Sequence, residues 1–282
     1  MNLIIIPVFN DWRSLNKLLF KINENLNINS LTRILVIDDC SSIKKNIEKK
    51  KLKKIKNIQV LRLNKNVGSQ KAIAIALHYL NIQKIRDFDY VTIMDGDGED
   101  NPSDIKQMIN EAKNQKDSII VSCRRGRSEG FFIQLCYKIH LVLTFFLTGH
   151  WITFGNFSCF FHKNIKKILS DNSIWHAFSS AVAKNVKIKR VYARRAKRFY
   201  GKTKVNFLFF LGHSIRIIGV FYKRVLMFSV IYSFLISIFF EKYASILYAT
   251  VFLGNILILW VMSKNHLKNN NFIKFIENKK RI

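Results

Sequence analysis

Four apolar runs constrain the fold of this chain more than any other feature: "NLIIIPVF", "TRILVIDD", "NIQVLRL" and "FDYVTIMD". Each is rich in β-branched or aromatic residues and shows no consistent polar face, as expected of a strand buried on both sides. The intervening stretches, "DWRSLNKLLFKINENL", "SSIKKNIEKKKLKKIK" and "NVGSQKAIAIALHYL", read as helices. Strands and helices in alternation imply an α/β domain with a mostly parallel sheet covered on both faces. Ligands of such sheets bind beyond the carboxyl ends of the strands, which here carry "PVFND", "DDCSS", "NKNVG" and "DGDGED". No GxGxxG or GxxxxGK[ST] pattern is present, so neither a dinucleotide fold nor a P-loop is indicated.

The last of these ends is the most unusual. Asp95, Asp97 and Glu99 alternate directly after a buried strand, in a chain with formal net charge +29. Asn101 and Pro102 read as the start of the next helix, and Asp104 suits its positive end. Capping accounts for those residues but not for the alternating carboxylates, which repel one another unless a cation lies between them. A calcium loop is excluded, because its sixth position is Asp100 rather than Gly and its twelfth is Lys106 rather than Glu. One or two carboxylates holding a divalent ion against substrate phosphates remain, with a solvated turn as the alternative.

The second half is organised by charge. No Asp or Glu occurs between Asp171 and Glu241, and that span runs into two uncharged stretches, Val225–Phe240 and Tyr243–Met262. The second has about the ~20 residues needed to cross a bilayer as a helix. The first is shorter, but Tyr222 and the snorkelling stems of Lys223 and Arg224 extend it. Basic outer flanks around a two-residue "EK" turn predict a hairpin with both ends cytoplasmic, with two buried core helices as the alternative. Gly130–Trp151 and Val205–Arg224 have the composition of helices lying in a membrane surface, with packing on the protein's own core as the alternative. The four scattered cysteines fit a reducing, cytoplasmic compartment. The lysine run from Lys44 to Lys56 reads as a solvated helix face; it lacks interleaved aromatics, and no nucleic-acid module is present.

Taken together, "IIIPVFND", "VIDDCSS", "LNKNVGSQKAIAIAL" and "MDGDGEDNP" resemble the opening of a family 2 glycosyltransferase of GT-A fold. "RRGRSEG" before an apolar helix, then "RFYGKTK" and two apolar helices, resemble its polyprenyl-phosphate branch, which includes dolichyl-phosphate mannosyltransferase. The resemblance implies a catalytic domain over 1–204 that includes a surface helix near 130–151. A juxtamembrane helix over 205–224, a transmembrane hairpin over 225–262 and a basic cytoplasmic tail over 263–282 would follow. It assigns Asp39 to the nucleotide base and Pro7 and Asn10 to the first donor loop. Asn66 and Gly68 would begin a helix whose amides approach phosphate. Asp95 and Asp97 would hold Mg²⁺ or Mn²⁺, joined by Glu99 where the family often has Gln. Arg125 and Arg127 would lie near the lipid phosphate, and Arg198 and Lys204 would close on donor and acceptor phosphates; plain membrane-surface charge is the alternative for these cations.

One position departs from the family. Where relatives carry "GDFR", with its Asp a proposed base or acceptor contact, this chain reads "FGNFSCF", with Asn156 and Ser158. An amide takes no proton, and general-base help is typically worth about 10²–10⁴-fold for a hydroxyl acceptor. A phosphate monoester, with a second pKa near ~6, is already mostly deprotonated at neutral pH. The expected activity is therefore inverting transfer of a sugar from a UDP- or GDP-sugar to a polyprenyl phosphate, at the cytoplasmic face of a bacterial inner membrane. A hydroxyl acceptor on a lipid-linked saccharide, and a non-enzymatic membrane-bound polyanion or nucleotide binder, stay open as alternatives. A second copy of the chain stays open as a partner.

Overall fold

The computed structural model describes residues 1–25, 32–43, 46–48, 52–83, 87–125, 131–194, 196–201, 207–264 and 271–281. Its strands are β1 (Asn2–Val8), β2 (Thr32–Asp38), β3 (Ile55–Leu63), β4 (Tyr90–Ile93), β5 (Ser118–Arg125), β6 (Phe154–Phe161), β7 (Lys187–Arg194) and β8 (Ile276–Arg281). The helices are α1 (Trp12–Asn25), α2 (Ser69–Ile82), α3 (Asp104–Asn114), α4 (Phe131–Thr148), α5 (Asn164–Ile168), α6 (Phe178–Asn185), α7 (Phe207–Gly219), α8 (Tyr222–Phe239) and α9 (Ala244–Lys264). The described strands form one sheet in the order β7-β5-β6-β4-β1-β2-β3-β8.

The apolar runs read from the sequence are β1 to β4, and they pair in parallel. Their alternation splits the core into two layers. Leu3 and Ile5 of β1 point to one face, under α2 and α6, while Ile4, Ile6 and Val8 point to the other, under α1 and α3. In the β1/β2 register Val8 lies opposite Asp38, so the loops leaving both strands emerge side by side. β6 runs antiparallel between β4 and β5, which brings Ser158 opposite Ile93 and carries residue 156 to the turn after β4.

Three segments differ from expectation. The described residues of the lysine-rich stretch between β2 and β3 form no helix. Lysine favours helix, but propensity is a weak prior that packing overrides, and here Leu52 is buried and Ile47 packs against the core without one. The juxtamembrane helix and the first membrane-length helix are separated by a turn at Val220 and Phe221, so α8 begins at Tyr222, three residues before the uncharged run. The basic segment after α9 returns to the sheet: β8 pairs antiparallel with β3, from Gln59 opposite Arg281 to Leu63 opposite Ile276. Arg62 Nε donates to Glu277 at 3.0 Å and Asn64 Nδ2 to the Lys274 carbonyl at 2.6 Å. Phe272 is buried against the ring of His78 on α2.

Two helices are long and apolar enough to cross a membrane, Tyr222–Phe239 and Glu241–Ser263. They pack together through polar contacts. Ser229 and Asn255 exchange hydrogen bonds of 3.2 and 3.0 Å, and the Ser237 and Tyr248 hydroxyls lie 2.6 Å apart. α4 lies alongside, with the Tyr232 hydroxyl donating to the Phe146 carbonyl at 3.2 Å and Arg224 Nη1 to the Thr148 carbonyl at 3.1 Å.

Candidate active site

The loops after β1 and β2 are joined by one side chain. Asn10 sits in the left-handed region with φ 53°, which Asn tolerates better than most residues. Its Oδ1 accepts from the Ser42 and Ile43 amides at 2.8 and 3.1 Å, and its own amide donates to Ser41 Oγ at 2.9 Å. Pro7 lies in β1 opposite Ile37, below this junction.

Asp39 is buried and accepts the Val67 and Gly68 amides at 2.7 and 2.8 Å, one on each oxygen. Burial pushes its carboxyl upward, the two amides oppose that, and neighbouring Asp38 adds to it. The amides bound to Asp39 are those just before α2, and Gly68 turns with φ +84° into the helix. Asn66 Oδ1 accepts from the Gly68 amide at 3.2 Å. A carboxylate has about four acceptor sites, so Asp39 retains capacity toward a ligand.

The acidic turn after β4 is folded by its own carboxylates. Asp100, buried, accepts the Asp95 amide at 3.0 Å, and Asp97 Oδ1 accepts the Glu99 amide at 3.0 Å. Asp95 Oδ1 accepts from Asn156 Nδ2 at 2.9 Å. The Asp97 carboxyl is pushed up to about 6, by burial first and then by the charge of Asp95, with the Glu99 amide and Arg198 working against the rise.

Over this turn lies the segment from Ala196 to Tyr200. The Ala196 and Phe199 amides each donate to the turn, to the carbonyls of Glu99 and Asp97, at 2.9 Å. The Phe199 ring rests so closely on Gly98 that any side chain there would strike it, and Gly98 has φ +88°. Arg198 places Nη1 3.1 Å from Asp97 Oδ2 and Nη2 3.0 Å from Asp11 Oδ2, and its Nε donates to the Tyr200 carbonyl at 2.9 Å. Arg13 lies over the Tyr200 ring at 3.9 Å.

Residues 3–173 match the profile of Glycosyl transferase family 2. The chain belongs to this family. The solved structure of glucosyl-3-phosphoglycerate synthase from Mycobacterium tuberculosis, in complex with Mn²⁺, UDP and glucosyl-3-phosphoglycerate, is similar in fold. It has 14% identity and a TM-score of 0.52 over 80% of each chain. A mycobacterial protein is similar at 12% identity and a TM-score of 0.53, covering 80% of this chain and 74% of that one. TarS 1-349 of S. aureus, solved with UDP-GlcNAc, matches at 17% identity and a TM-score of 0.48, over 78% of this chain and 66% of that one. The chain spans 39% of the longer solved TarS chain. No curated protein matches it in sequence.

For a family 2 chain, the structure brings together Asp95, Asp97, Arg198 and Asn156, and separately Asn10 and Asp39 with the loop of Asn66 and Gly68. Arg125 ends β5 opposite Arg194, while Arg127 and Lys204 lie outside the described residues. Among the described residues no three acidic, His or Cys side chains converge to enclose a metal, so Glu99 does not complete a cage with Asp95 and Asp97. Two hard-oxygen carboxylates on one turn, with Asp95 raising the cost of charging Asp97, still fit a divalent ion completed by a diphosphate. Sequence reasoning missed Asp11, Asp100 and Gln70. Asp11 meets Arg198 across 187 residues of sequence, a separation at which no spacing rule applies.

Proposed function

We propose that this chain is a membrane-anchored, inverting glycosyltransferase that moves a sugar from a UDP- or GDP-sugar to a polyprenyl phosphate at the cytoplasmic face. The observation that carries the reading is Arg198 drawn onto the Asp95–Asp97 turn, at the carboxyl end of the sheet of a family 2 domain. A bound Mg²⁺ or Mn²⁺, held by Asp95 and Asp97, would neutralise the departing nucleoside diphosphate. Asp39 would receive the base, with Pro7 and Asn10 shaping the loop beside it. A phosphate oxygen of the acceptor attacks the anomeric carbon, and the bond from that carbon to the donor's diphosphate breaks. Because the nucleophile is already deprotonated, no residue has to take a proton, and Asn156 in place of an acid is no obstacle. Arg198, with Lys204, Arg125 and Arg127, would supply positive charge to the two phosphate-bearing substrates.

Exposure supports the anchor. The apolar window of Glu241–Ser263 is 0% buried, whereas a soluble core helix of such composition would be covered. On α4, His140, Thr144 and Thr148 face inward together with Leu141, while Leu135, Ile139, Val142, Leu143 and Phe146 face out. Apolar residues turned outward suit lipid. β8 rejoins the sheet after α9, so the segment beyond the hairpin shares a side with the catalytic domain. The test is transfer by the purified full chain from UDP- and GDP-sugars to undecaprenyl phosphate, against undecaprenol and a lipid-linked sugar. Transfer should require the phosphate, and use of the hydroxyl acceptors instead would refute the reading.

A further inference from the structure

A backbone amide dictates the orientation of two side-chain amides beside the acidic turn. Phe178, the first residue of α6, donates its N–H to Gln70 Oε1 at 2.8 Å. A backbone N–H can only donate, so the oxygen of Gln70 must face Phe178 and its nitrogen must face the other way. That nitrogen donates to Asn156 Oδ1 at 2.9 Å. Asn156 therefore turns its own nitrogen to Asp95 Oδ1, also at 2.9 Å. One chain of donors runs from α6 through α2 and β6 to the first carboxylate of the turn.

We propose that Gln70 and Asn156 are positioning residues: a polarised amide relay that holds the Asp95 carboxylate by presenting it with an obligatory donor. The proposal rests on the reading of Asp95 as a donor-side carboxylate. It gives position 156 a task on the nucleotide-sugar side instead of a base's task on the acceptor side. It also explains the residue type. An aspartate at 156 would accept from Gln70 equally well, but would set a second carboxylate against Asp95, and two carboxylates at that distance do not both ionise readily. The amide gives Asp95 a donor and aims it. Gln70 is needed because an Asn alone could present either end to Asp95; the donor from Gln70 selects one.

Gln70→Glu tests this, because it preserves shape while reversing the relay. The introduced carboxylate still accepts from Phe178, but its second oxygen attracts the Asn156 nitrogen and turns Oδ1 toward Asp95. Gln70→Met keeps similar bulk and leaves Asn156 free to choose. The full chain, purified in detergent, is titrated with Mn²⁺ in the presence of UDP or GDP, with free Mn²⁺ read by electron paramagnetic resonance, and is melted without ligand. Gln70→Glu should weaken Mn²⁺–nucleotide binding by about tenfold or more, since charge-assisted bonds are the strong ones, and Gln70→Met by less. In the ligand-free melts Gln70→Glu should fall below wild type by about 2–4 °C, the scale of one lost interaction in a domain of this size. A Gln70→Glu chain that melts at or above the wild-type chain overturns the relay, whether or not any nucleotide binds. Wild-type chain that takes up no Mn²⁺ with either nucleotide overturns the donor-site reading, and the relay is then decided by the melts.

Discussion

His78 makes the seam between the catalytic domain and the returning segment sensitive to acid. Its ring is 4% exposed, stacks on Trp175 at 4.8 Å and 7°, and meets Phe272 at 5.4 Å. Its buried Nε2 has no hydrogen-bond partner among the described residues. Burial is the cause that lowers its pKa from 6.5 to about 4. The folded state therefore disfavours the proton that the unfolded chain accepts. This stability is fully present above pH 6.5 and is lost as pH falls through the window from 6.5 to about 4. The gap of about 2.5 units corresponds to about 3 kcal/mol at 1.36 kcal/mol per unit, of which about 2 kcal/mol is lost by pH 5. At about 2–4 °C per kcal/mol, wild-type chain in detergent should lose about 4–8 °C of Tm between pH 8 and pH 5 beyond the loss shown by His78→Phe. The substitution keeps an aromatic ring in the stack and removes the titration. The readout is how the difference between the two melting curves changes with pH, not its offset. A constant difference from pH 8 to 5 would refute the reasoning.

Two further outcomes follow from the site and the helices. Asp97→Asn should abolish sugar transfer while leaving the melting temperature equal or higher, since it removes a carboxylate that burial and Asp95 already disfavour; undiminished transfer in excess chelator would count against a metal at this turn. The full chain should fractionate with membranes and resist carbonate extraction, with reporters at both ends reporting cytoplasm; extraction into the soluble fraction would show α8 and α9 to be covered by protein.

What the sequence revealed follows from where the physics is local. β1 to β4 were legible because a strand buried on both faces must be apolar along its length. The acidic turn was legible because Asp95, Asp97 and Glu99 are neighbours whose repulsion needs a cause. β8 was not, because "IENKKR" is an edge strand held by backbone bonds to β3 and by the Arg62–Glu277 pair, neither of which leaves an apolar pattern. The described part of the Lys44–Lys56 run misled because helix propensity is a weak prior that tertiary packing overrides. Gln70 was hidden, as an ordinary polar residue in the first turn of a helix whose partner lies 86 positions away.

The pairing of β3 with β8 also orders the folding of the molecule. Arg62 meets Glu277 across 215 positions, and the intervening chain includes both membrane-length helices. The sheet edge beside Asp38, which accepts from Arg62 at 3.1 Å, is closed by chain that lies beyond those helices. Closing so long a loop through disordered chain is slow, but a formed helix hairpin shortens the effective path. A fragment cut before α8 would leave the β3 edge, with Val60, Leu61 and Leu63, open to pair with another chain.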